Sequence, residues 1–103
     1  MSPVVVTAVF TPAEGHDHEL RSALAGALPA VHAEEGCLLY AIHDADDGSI
    51  TMIEKWTSRE ALDAHAAGPA VVALNEAISG HVAHPPVVTT MTAIPVGGSA
   101  GTL

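Results

Sequence analysis

Apolar residues occupy nearly every position from Val4 to Phe10 (VVVTAVF), a β-branched run that predicts a strand covered on both faces. Thr11-Pro12-Ala13-Glu14-Gly15 is turn chemistry and ends it. From His16 to about Glu34 the pattern changes period: Leu20, Leu24, Leu28 and Val31 recur at helical spacing, beside Ala23 and Ala27. Pro29 removes one backbone donor inside this helix, which predicts a kink or a short break. Glu35-Gly36 closes it, because Gly36 is free to take the left-handed conformation.

Cys37–His43 and Ser49–Trp56 then read as strands, with the polar turn Asp44-Ala45-Asp46-Asp47-Gly48 between them making a hairpin. Thr57-Ser58-Arg59-Glu60 fits a capping box, with Ser58 a competing N-cap, and opens a second helix. Leu62 and Ala66 line one side of that helix, Gly68-Pro69 breaks it, and Ala70–Ser79 resumes with Val71, Leu74 and Ile78 in register. Val87–Val96 reads as a fourth strand, its last residues limited to an edge by Pro95. The order β-α-β-β-α-β is the ferredoxin-like split βαβ plan, an α+β fold with a four-stranded antiparallel sheet and helices on one face. Residues 1–96 form the single domain and 97–103 a flexible tail. The first two strands are apolar on both sides, so a homodimer that covers the free sheet face is expected.

Composition narrows the partners. The chain has 103 residues and a formal net charge of −9, with only Arg21, Lys55 and Arg59 as fixed cations. Clustered cations are what phosphate backbones and anionic lipid surfaces require, so neither nucleic acid nor a membrane is expected as a partner. No apolar run reaches the roughly 18 residues of a membrane span. The start has no basic segment and does not read as a signal peptide. The single Cys37 has no partner for an internal disulfide, which suits the cytoplasm. Aromatic residues make up only 3% of the chain, so Phe10, Tyr40 and Trp56 each invite an explanation.

Trp56 reads as a core filler at a strand end or as one wall of a pocket for a flat ring. Glu54 shares its sheet face, being two residues earlier. There it meets Arg59, the backbone of Lys55 or a buried hydroxyl, or else burial raises its pKa and makes it a usable base. His65 is a hydrogen-bonded structural group or a proton acceptor. Leu62, His65 and Ala66 stand at i, i+3 and i+4, so burying Leu62 brings His65 towards the sheet. Tyr40 faces the same side only in some hairpin registers: pairing His43 with Ser49 sets it opposite Met52, and a one-residue shift turns it away from Glu54. The pairs His16/His18 and His81/His84 lack a third metal ligand and read as solvated. Cys37 reads as a small core residue.

Three fragments in this order, Glu35-Gly36-Cys37-Leu38-Leu39-Tyr40, Glu54-Lys55-Trp56 and Ala61-Leu62-Asp63-Ala64-His65, resemble the antibiotic biosynthesis monooxygenase (ABM) family. The resemblance covers Val4 to about Ala93 and implies a dimeric α+β barrel, two sheets packed face to face. It implies a monooxygenase acting on a small hydroxylated aromatic, of quinol or anthrone type, with molecular oxygen and no flavin, haem or metal. His65 and Glu54 would be the catalytic residues, and Trp56 and Tyr40 would bind substrate. Haem-degrading relatives pair an asparagine on the first strand with a tryptophan and a helical histidine. The first strand here offers Thr7 instead, and the only asparagine, Asn75, lies on a late helix, which argues against haem degradation. The competing expectation is a non-catalytic dimer of the same fold that binds a small apolar ligand or serves as a structural module.

Overall fold

A computed structural model describes residues 2–103. Its elements are β1 (Val4–Phe10), α1 (Asp17–His32), β2 (Cys37–Asp44), β3 (Ile50–Trp56), α2 (Arg59–Ala66), α3 (Pro69–Ile78) and β4 (Val87–Thr92). The strands form one antiparallel sheet in the order β2-β3-β1-β4, with the helices on one face. This is the α+β, ferredoxin-like arrangement read from the sequence, with one addition. Gly68-Pro69 does more than interrupt the second helix: Gly68 caps and Pro69 opens a separate α3, because proline at the first helical position gives up an amide that needed no partner.

Other boundaries moved for equally local reasons. α1 runs through Pro29 without a break. The carbonyl four residues back, on Ala25, is on the solvent side together with Pro29, so water can take the place of the missing amide. Ser58, and not Thr57, caps α2, its hydroxyl accepting from the Ala61 amide at 3.2 Å. β4 stops at Thr92 instead of Val96, because Thr92 pairs with Val4 and β1 begins there.

The hairpin register follows from the turn. Asp47 Oδ1 accepts from both the amide and the hydroxyl of Ser49, at 2.9 and 2.6 Å, and the Ser49 carbonyl accepts from Ala45 N. Ser49 is thereby drawn into the loop, and the ladder starts at Asp44↔Ile50. Tyr40 falls opposite Glu54, two residues along from the Met52 pairing considered above, and on the same face as Glu54. A bulge between Cys37 and Leu39 then removes Leu38 from the ladder and pairs Cys37 with Trp56.

Side chains alternate strictly on β1 and β3. Val4, Val6, Ala8 and Phe10 and then Ile50, Met52, Glu54 and Trp56 are buried beneath the helices with Leu20, Leu24 and Val31 of α1. The opposite sheet face carries Val5, Thr7 and Val9, which are half-buried in the single chain. α1 packs on β2, and α3 packs chiefly on α1, so the helical layer leans away from β1 and β4. Beyond β4 the chain makes one 3-10 turn at Gly98–Gly101. No helix among the described residues is long and apolar enough to cross a membrane.

Gly36 ties the hairpin to α2. Its φ is +83°, and a Cβ there would sit 2.6 Å from Ala61 Cβ and 2.7 Å from Thr57 Oγ1, while its carbonyl accepts from Thr57 N at 2.9 Å. Gly36→Ala is expected to lower stability by about 2–4 kcal/mol, combining the left-handed backbone cost with overpacking. The check is a lower urea midpoint at unchanged slope.

Candidate functional site

Each strand contributes one residue to a row on the helix side of the sheet: Tyr40, Glu54, Val6 and Thr90 stand side by side across β2, β3, β1 and β4. Because the helices lean towards β2, this row is only partly covered, and a cavity of about 310 Å³ remains between it and α2/α3. Val6, Ala8, Phe10 and Val88 line the sheet side, with Leu62, Val71 and Leu74 opposite. Tyr40, Glu54 and His65 supply its deeper polar groups, and Arg59, Asp63 and Asn75 stand at the exposed rim.

Glu54 is 6% exposed among apolar neighbours. Its partner is none of those expected: the indole Nε1–H of Trp56 donates to Oε1 at 3.0 Å. Two residues on one strand face thus satisfy each other, a buried indole donor and a buried carboxylate acceptor. Arg59 pairs instead with Asp63 at the rim, at 3.5 Å. Burial pushes the Glu54 carboxyl above the usual carboxylate range, while the Trp56 hydrogen bond and the nearby His65 work in the opposite direction.

His65 is the buried residue of α2, at 6% exposure, whereas Leu62 is only half-buried and faces the cavity. His65 lies towards the sheet as the i, i+3 spacing from Leu62 suggested, but it is the more deeply buried of the two. The imidazole stacks on Trp56 with ring centroids 4.5 Å apart and planes at 29°, and meets Tyr40 edge-on at 5.4 Å. Its Nδ1 lies 2.5 Å from Glu34 Oε1. Glu34 escaped the sequence reading, although it sits directly before the Glu35-Gly36 turn, because nothing in local spacing pairs the end of α1 with a helix thirty-one residues later.

Of the two readings of Trp56, core filler or pocket wall, its position fits the core filler, and it does not line the cavity as a substrate-binding residue would. It is 0% exposed and lies behind His65 and Glu54, because the imidazole covers its ring. Tyr40 is on the wall. Burial, then the charges of Glu54 and Glu34, push its phenol far above the usual range, so its hydroxyl stays protonated and is available as a donor. Burial likewise raises the Cys37 thiol, followed by Glu34 and Glu54, which keeps it from being a nucleophile at neutral pH. Asn75, set aside in the sequence as a late-helix residue, reaches the rim. Among the histidines the fold makes a pair the sequence spacing did not suggest, His16 Nδ1 to His81 Nδ1 at 2.9 Å, and no group of three or more metal-ligating side chains occurs among the described residues.

A chain built this way has close counterparts. The sequence profile of the family described as antibiotic biosynthesis monooxygenase matches residues 3–77. Rv0793 of Mycobacterium tuberculosis, named as a candidate monooxygenase, is 33% identical over 93 residues, spanning 89% of this chain and 91% of the relative. Its solved structure superposes with a TM-score of 0.81 at 31% identity over 87% of this chain and 93% of the other. The structure of SO0527 from Shewanella oneidensis matches with a TM-score of 0.80 at 28% identity, over 88% and 90% of the two chains.

The raised carboxyl of Glu54 has a measurable consequence. A pKa higher in the folded than in the unfolded chain means the folded state holds the extra proton, so stability from this group is present below the unfolded pKa and is lost as pH rises through the folded one. Glu54→Gln keeps an acceptor for Trp56 Nε1 and removes that loss. The variant is expected to gain on the parent chain in urea denaturation as pH rises above about 4.3, the ordinary glutamate value, and the gap should close below it. A difference independent of pH would contradict the raised carboxyl.

Proposed function

Because this chain belongs to the antibiotic biosynthesis monooxygenase family, we propose that it oxidises a small hydroxylated aromatic, of quinol or anthrone type, with molecular oxygen and without a cofactor. The observation that carries this reading is that two proton-active groups, His65 and Glu54, meet at the deep end of a cavity of about 310 Å³ whose inner walls are mainly apolar. That volume is at the lower end of the range for small-molecule sites, roughly 300–1,000 Å³, and suits a compact ring system.

Such a substrate asks for a proton acceptor, an apolar enclosure and correct placement. His65 removes a proton from the substrate. The resulting carbanion or phenolate passes one electron to oxygen, and the radical pair joins in a new C–O bond. Glu54, held towards its neutral form by burial, returns a proton to the peroxide. For an anthrone-type methylene, loss of water across the C–H and O–O bonds then leaves a carbonyl, with one oxygen molecule consumed and one water released. Tyr40 donates to a substrate oxygen, and the apolar walls limit hydrolysis of the peroxide.

Oxygen uptake with a panel of anthrones and quinols tests this directly. The expected result is one O2 per substrate, unchanged by chelator. His65→Phe retains ring stacking on Trp56 but not the proton acceptor, and should lower turnover about 10²-fold or more. No uptake across the panel would favour a non-catalytic binding module of the same fold.

The reading includes a homodimer in the cytoplasm. The sheet face opposite the helices carries Val5, Val9, Ile53 and Leu39 with, among the described residues, one fixed cation, Lys55, and no helix over it. A second copy packed on this face would bury on the order of 2,000 Å². Sedimentation at micromolar concentration should give twice the chain mass, and a monomer mass would remove this part of the proposal.

A further inference from the structure

Three neighbours hold the imidazole of His65 and only one of them bonds it. Trp56 backs one ring face, Tyr40 meets it edge-on, and Glu34 Oε1 takes Nδ1 at 2.5 Å. A carboxylate only accepts, so the shared proton belongs on Nδ1. Nε2 has no protein partner among the described residues, and the ring lines the cavity. We propose that Glu34 is the positioning residue that fixes His65 as its Nδ1–H tautomer with the Nε2 lone pair presented to the cavity. The proposal rests on the reading of His65 as the proton acceptor.

Glu34 is itself fixed by the end of α1. Its amide donates to Val31 O at 2.9 Å and its carbonyl accepts from Cys37 N at 3.3 Å, so the carboxylate leaves a backbone anchored on both sides. Gly68 stands on the other side of the pair. Its φ of −90° is open to any residue, so conformation does not call for glycine there. A Cβ on Gly68 would crowd the backbone of α2, 3.2 Å from Ala64 O and 3.3 Å from His65 O, and would meet Glu34 Oε2 at an ordinary contact distance of 3.5 Å. The Gly68 amide donates to His65 O at 3.0 Å and closes α2 beside the pair. When Nε2 takes a proton, the Glu34 charge directly faces the imidazolium, as in any carboxylate–histidine pair that supports a base.

A merely structural bond between α1 and α2 would satisfy the same distance, so the test reads the tautomer. In the full chain labelled with 15N, at about pH 8.5, two units above the ordinary imidazole value, long-range correlation spectra distinguish the protonated from the lone-pair nitrogen. His65 is expected as Nδ1–H in the parent chain and in Glu34→Gln, whose carbonyl still accepts. Glu34→Leu should shift it towards Nε2–H. An Nε2–H parent, or a Glu34→Leu spectrum unchanged from the parent, overturns the proposal whether or not a substrate is known. With a substrate from the uptake panel, Glu34→Leu should lower kcat about 10²-fold or more at nearly constant KM. A loss confined to KM would overturn it too. Failure of every substrate would defeat the oxygenase reading and leave the tautomer result to decide this one.

Discussion

The hydrogen bond from Trp56 Nε1 to Glu54 Oε1 is the interaction on which the site depends. An indole donor and a carboxylate each lose heavily when moved out of water without a partner, by about 1–3 kcal/mol or more per unsatisfied group. Placed two residues apart on β3, they share a face by the alternation of the strand and meet without help from any other element. Glu54 can then sit under the helices, where its desolvation raises its affinity for a proton. Trp56 in turn gives α2 a flat surface, and His65 rather than an aliphatic residue covers it.

From that contact the rest of the site is built outward. His65 on Trp56 brings α2 down onto the end of β3, and Glu34 ties the same ring to the end of α1. Gly36 lets the chain turn tightly enough for β2 to begin beneath the first turn of α2. With α2 held at one end and α3 leaning on α1, the sheet between β1 and β4 is left partly uncovered, and this gap is the cavity. Its walls are mainly aliphatic apart from Phe10, and its deep end is polar because Tyr40, Glu54 and His65 lie there.

Acidity shapes the surroundings of the site as well. With a formal net charge of −9 and three fixed cations, the chain has one cation at the cavity mouth, Arg59, and that one is paired with Asp63. Nothing in the rim favours a multiply charged anion over a neutral or weakly acidic ring. The deep end holds Glu54 close to Tyr40 and His65, and Glu34 on the far side of the imidazole. Burial there holds the protons of Glu54 and Tyr40 more tightly than in water, and for Tyr40 the nearby carboxylates add to the effect.

The sequence by itself determined the strands, the helices and their order, because these follow from period and punctuation: VVVTAVF, the leucines of α1 and the turn glycines act over a few residues. It also placed Glu54 and Trp56 on one face, since strand alternation is a local rule. It named His65 and Tyr40 as neighbours of that face without placing either. Tertiary structure decided the placements. Tyr40 stands beside Glu54 because Asp47 draws Ser49 into the turn and lengthens the loop. His65 went in and Leu62 to the cavity because a stacked indole and a carboxylate thirty-one residues away outweighed the apolar spacing of an eight-residue helix. Glu34 was invisible for the same reason: a hydrogen bond between the ends of two helices is set by how those helices pack, and no pattern along the chain carries that distance.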